Sequence, residues 1–105
     1  MRAEDYTYRV FWSEEDGAFV GTVAEFPSLS CVEDAQFDAF SGIIALVKGV
    51  LDDMANSQEE PPLPLGKKRY SGKIALRMTP EQHRHLAMEA AAQEVSLNHL
   101  ITSRL

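Results

Sequence analysis

At 105 residues, 45% hydrophobic and 25% charged, the chain has an ordinary globular composition with room for one small domain plus a subdomain. No stretch is apolar enough to span a bilayer and the N-terminus MRAEDYTYRV carries no hydrophobic signal region, which argues against a membrane protein and for the cytoplasm. The single cysteine, Cys31, excludes an internal disulfide framework, and the net charge of −6 is unevenly spread.

Along the chain, Tyr6, Tyr8, Val10 and Trp12 alternate with Thr7, Arg9 and Phe11, the period of a strand with one buried face. Glu14, Glu15, Asp16 and Gly17 make a turn, and a second run from Ala18 to Ala24 resumes with Phe19, Val20 and Val23, so the two runs predict a hairpin. Phe26 and Pro27 break it, and Leu29 to Val32 is a third strand. Asp34 is placed to cap the helix that follows. In that helix Phe37, Phe40, Ile44, Val47, Leu51 and Met54 recur at steps of three and four, widened by Ile43, Leu46 and Val50. The stripe predicts packing on the sheet and carries no chemistry of its own. Residues 55–66, with Asn56, Ser57, three prolines and Gly66, read as a connecting segment. The expected organisation is therefore α+β: a small antiparallel sheet with one long helix over residues 1–60, a linker over 61–71, and a separate module over 72–105.

In that last module Ile74, Leu76 and Met78 alternate with Lys73, Ala75 and Arg77, an apolar face backed by a basic one. A lone strand leaves its edge unpaired, and a segment this short cannot bury a core alone. Two copies pairing antiparallel remove both problems. Thr79, Pro80 and Gln82 then spell a helix start with a reciprocal cap, and Leu86, Ala87, Ala90 and Ala91 form its apolar stripe. Ser96 opens a second helix by capping toward Asn98 or His99, with Leu97, Leu100, Ile101 and Leu105 as its buried side. This order is that of a ribbon-helix-helix module. Lys73, Ala75 and Arg77 would read bases in the major groove, and Ser96, Leu97 and Asn98 would seat a phosphate. Ile74, Leu76, Met78, Leu86, Leu97, Leu100 and Ile101 would hold the dimer. The bland alternative is a helical hairpin that only dimerises the protein.

Charge favours the first of these. Residues 1–66 hold thirteen acids against three cations, and residues 67–105 hold seven cations, led by Lys67, Lys68 and Arg69, against three acids. Two surfaces of opposite sign suggest a polyanion as one partner and something cationic as the other.

Taken together, YRVFWSEEDGAFVGTVAEFPSLS, the helix, the proline-bearing segment and YSGKIALRMTPEQHRHLAMEAAAQEVSLNHLI resemble the HicB family of antitoxins over nearly the whole chain. The resemblance rests on the turn from Trp12 to Gly17, on Glu25 to Ser30, and on Tyr70 to Met78. It implies a degenerate RNase H-like N-terminal domain that blocks a small basic HicA-type RNA-cleaving toxin. It also implies a C-terminal ribbon-helix-helix that dimerises, with possible higher assembly, and represses the operon by binding operator DNA. Two departures stand out: Ala35, Gln36, Phe37 and Asp38 occupy the place of the family's common Thr-Pro-Glu-Glu, and Ala75 that of a polar base reader. An acidic partner suits a toxin that must itself attract RNA, so Glu14, Glu15, Asp16 and Glu25, with Trp12 or Phe19 as aromatic anchor, are the candidate toxin-binding residues.

An enzyme is not expected, nor a cofactor. Asp16, Glu25, Asp34 and Asp38 would be the carboxylates of a metal-dependent RNase, but no spacing forces them to converge. His83 and His85 point apart on a helix, and the chain has no phosphate loop, nucleophile elbow or CxxC. A stand-alone repressor with a sensing domain is the other alternative.

Overall fold

A computed structural model describes residues Met1–Leu105. They form two units, Met1–Tyr70 and Ser71–Leu105, each with its own packing.

In the first unit the alternating runs become a three-stranded antiparallel sheet, β1 (Tyr8–Ser13), β2 (Ala18–Val23) and β3 (Ser30–Glu33), in the order β1-β2-β3. The β1–β2 turn is closed by two mutual contacts: Ser13 Oγ donates to Asp16 Oδ2 at 2.9 Å, and the Asp16 backbone N–H donates to Ser13 Oγ at 3.3 Å. Gly17 completes it at φ +61°, where a side chain would be strained. The register sets Tyr8 opposite Val23, Val10 opposite Gly21 and Trp12 opposite Phe19, so these six share one face.

That face receives α1 (Gln36–Asn56). The helix comes so close that a Cβ added at Gly21 would stand 2.6 Å from the Ala39 carbonyl oxygen, and one at Gly42 2.4 Å from Cys31 Sγ. Close approach fixes the phase of the helix. Ala39, Ile43 and Val47, four apart, are fully buried, and Ile43 and Val47 join Ala3, Tyr6 and Val23 in the core. The expected stripe is accordingly corrected at its start: Phe37 is 75% exposed and Phe40 43% exposed. Ala39 and Gly42 let the helix approach closely with Ile43 and Val47 directed inward, and this turns the two phenylalanines to the margin. Asp34 does not cap the helix either, since Ala35 occupies the cap with an extended backbone and no side-chain bond. At the other end Glu59 N–H reaches the Met54 carbonyl and Gln58 N–H that of Ala55, a Schellman closure with Gln58 at φ +58°.

The segment expected as a linker is fastened to the first unit over much of its length. Tyr6 Oη donates to the Pro62 carbonyl at 2.8 Å, Leu65 N–H donates to Glu25 Oε2 at 2.9 Å, and Lys67 Nζ donates to Asp5 Oδ2 at 3.0 Å. Pro64 is buried.

The second unit contains α2 (Pro80–Ala92) and α3 (Leu97–Thr102). Thr79 and Gln82 make the full reciprocal cap: Gln82 N–H donates to Thr79 Oγ1 at 3.1 Å and Thr79 N–H to Gln82 Oε1 at 3.0 Å. A second Schellman closure, Val95 N–H to Ala90 and Glu94 N–H to Ala91, turns the chain with Glu94 at φ +56°. Ser96 then caps α3 through His99 N–H at 3.0 Å. Ala90 and Leu100 are buried between the helices, whereas Ala87 and Ala91 of the expected stripe are exposed. Glu89 and Arg104 form an ion pair. Residues 73–78 form no strand. A ladder needs a second strand, and this unit has no other, so Ile74 and Leu76 stand 82% and 57% exposed.

No helix of the protein is long and apolar enough to cross a membrane.

Candidate functional site

Two surfaces hold the residues singled out from the sequence. The first lies at the hairpin end of the sheet. Trp12 and Phe19, opposite one another in the register, meet edge to face with centroids 5.2 Å apart and planes at 71°. Trp12 Nε1 donates to Glu14 Oε1 at 2.9 Å, which fixes the indole while leaving it 48% exposed. Glu15 and Asp16 are exposed on the same turn. Three of the four expected acids and the aromatic pair thus come together.

Glu25 does not join them. Its carboxylate accepts from Thr7 N–H at 3.0 Å, from Thr7 Oγ1 at 2.9 Å and from Leu65 N–H, at the start of β1 rather than its end. Partial burial pushes this carboxyl up, and the three donors outweigh it, so the group sits below the usual glutamate value. Its neighbour Asp5, bonded first to Lys67 and then to Arg2, is lowered to about 2. Together they are the fastening of residues 62–67, a structural role that the sequence signal at Glu25 to Ser30 does not distinguish from a partner contact.

Phe37 and Phe40, which the stripe predicts as core, instead extend the aromatic surface. With Val10 and Gln36 they line a shallow hollow, and the Phe40 ring meets that of Tyr8 edge-on at 6.2 Å. Gly21 opposite Val10 and the small pair Ala39 and Gly42 are the signals that could have placed them outside. Between Arg9 and Lys48 the chain has no Lys, Arg or His, while it carries seven carboxylates. Arg9 itself lies on the opposite sheet face, stacked 4.7 Å over the Phe11 ring.

The second surface belongs to the second unit. Lys73, Ala75 and Arg77 are exposed, and so are Ile74 and Leu76 between them, so the single chain shows no division into two faces here. Beside them an open groove of about 640 Å³ is lined by Leu76, Arg77, Met78, Gln82, His85 and Leu86, so Arg77 borders the groove as well as the exposed segment. Leu86, Leu97 and Ile101 are half-buried, and Leu100 is spent within the α2–α3 contact. Of the expected phosphate seat, Ser96 Oγ is committed to His99 N–H, Leu97 is half-buried and Asn98 is exposed. Lys67, Lys68 and Arg69 fall in the first unit, Lys67 tied to Asp5 and the other two exposed. No three His, Cys, Asp or Glu side chains converge as metal ligands would.

The model of the HicB family matches residues 54–105, from the last turn of α1 through the whole second unit. The match supports membership of that family and a role associated with toxin–antitoxin systems. No curated protein and no solved structure matches the chain.

Proposed function

We propose, from the match of residues 54–105 to the HicB family, that this chain belongs to that family and is an antitoxin that acts at both ends: the first unit neutralises a small basic HicA-type RNA-cleaving toxin, and the second binds operator DNA as a dimer and represses the operon. The observation that carries this reading is the match over residues 54–105 falling on a unit whose alternating segment has no partner of its own. Pairing residues 73–78 antiparallel with those of a second copy satisfies the free backbone edge. It also carries Ile74, Leu76 and Met78 toward the groove beside Leu86, and full burial of such side chains is worth roughly 2 kcal/mol each. Lys73, Ala75 and Arg77 then lie on the outer face of a ribbon that fits the major groove. Arg and Lys donate to guanine O6 and N7, and Ala75 packs on a thymine methyl.

The toxin half rests on charge. A protein that cleaves RNA must offer cations to a polyanion, and an acidic, aromatic surface competes for that same region with complementary potential. Occlusion suffices, so the chain itself performs no catalysis. Toxin and operator would both be met in the cytoplasm.

Fluorescence anisotropy on labelled DNA from upstream of the gene, against a scrambled duplex over a salt series, tests the repressor half. Sequence-specific, salt-sensitive binding is expected. Equal binding to both duplexes would reduce the second unit to a dimerisation device.

A further inference from the structure

We infer that the aromatic patch at the start of α1, Phe37 and Phe40 together with Val10, Trp12 and Phe19, is where the first unit seats its cationic protein partner, with Phe37 at the centre. The inference rests on the antitoxin reading and goes beyond it by fixing the place of contact.

Four aromatic rings around one valine are gathered on a single sheet face and the helix margin beside it, and three of them are 43% to 75% exposed. A small protein seldom leaves such a cluster to water, and exposed aromatics in this density mark a contact surface. Their exposure is built into the fold. The tight approach at Gly21 and Gly42 forces Ala39 inward, and Phe37, two residues earlier on the helix, is thereby carried to the far side of the contact. The rim decides what covers them. Glu14, Glu15 and Asp16 stand on the turn, Glu33 pairs with Phe19 across the sheet, and Asp34 and Asp38 flank Phe37 in sequence. No cation lies in this stretch of chain. A second copy would bring the same six carboxylates against these six, whereas a basic partner meets them with Lys and Arg, and an Arg can stack on the Phe37 ring.

The test is calorimetric titration of the full-length chain with the small basic protein encoded beside its gene, using wild type, Phe37→Ser, the pair Asp34→Lys and Asp38→Lys, and Leu46→Ser. Leu46 is also exposed but lies half a turn from Phe37, so it controls for the loss of any surface apolar group. Phe37 makes little contact with the core, and matching thermal melts will verify that its variant folds. The expected result is binding weakened about tenfold or more by Phe37→Ser and by the charge reversals, with Leu46→Ser like wild type. If Phe37→Ser binds like wild type, the contact lies elsewhere while the antitoxin reading stands. If wild type itself does not bind, that reading falls and this inference with it. A fall in sedimentation mass of the free chain on Phe37→Ser would assign the patch to contact between copies and overturn the proposal.

Discussion

Glu25 shows how one side chain can set where a domain ends. Its carboxylate gathers Thr7 N–H, Thr7 Oγ1 and Leu65 N–H, joining the start of the sheet to a residue forty positions away. Replacing it by Gln leaves an amide N–H₂ facing at least one of those donors. Glu25→Gln should therefore cost about 1 kcal/mol, at the modest end because the site is partly solvated. Chemical denaturation will show it as a lower midpoint, and hydrogen exchange as faster loss of the Leu65 amide proton. Asp5 fastens the same segment through Lys67 and titrates at about 2, below its ordinary 3.8. A carboxyl depressed in the folded state stabilises fully above its unfolded value and ceases to do so as pH falls through the folded one. Residues 62–67 should accordingly loosen between about pH 4 and pH 2, with Glu25 acting in the same direction because it too is lowered. NMR titration of the Asp5 carboxyl is the check; a midpoint near 3.8 would mean that the Lys67 contact is not kept in water.

Among the elements, α1 is governed by what is absent from its contact with the sheet. Gly21→Ala would press a methyl group against the Ala39 carbonyl at 2.6 Å and Ile43 Cγ2 at 3.1 Å, and a backbone carbonyl inside a helix cannot swing aside. The helix must lift, at a cost of about 1 to 3 kcal/mol, and a thermal melt should shift down by several degrees. The same contact explains what sequence could and could not reveal. The hairpin and the start of α2 were legible because their signals are local: period-two alternation around residues 14–17, and Thr79, Pro80 and Gln82 within one turn. The phase of α1 was not, since counting bulky residues pointed to Phe37 and Phe40 while the packing is decided by Ala39 and Gly42. Trp12, Phe19 and Glu14 could be grouped from sequence because neighbours across a tight hairpin are fixed by its register. Glu25 could not be separated from them, because its partner Leu65 is distant in the chain. The pattern of residues 73–78 is plain in the sequence, but a strand is a relation between two segments, and one copy supplies only one of them.

For the whole molecule the division of charge yields a test with opposite signs. On the proposed function, toxin docking would use carboxylates and operator binding cations, so salt would weaken both, but only DNA binding would release condensed counterions and follow a straight log–log line. Arg77→Ala should weaken operator binding by about 1 to 3 kcal/mol through a lost base contact and relax sequence preference, with the dimer intact. Lys68→Ala and Arg69→Ala should instead lower affinity for every duplex and reduce the salt slope by about one each. Lys67 is the discriminating case. Its ammonium is held by Asp5, a carboxylate ionised at any pH where DNA binding is measured and shared with Arg2, so Lys67 is less free to meet a phosphate than Lys68 or Arg69. Lys67→Ala should therefore change the slope by less than either neighbour does, whereas Asp5→Asn should free Lys67 and steepen it. A slope that falls equally for all three cations would show that Lys67 leaves Asp5 for the phosphate, and that DNA competes directly with the fastening of residues 62–67.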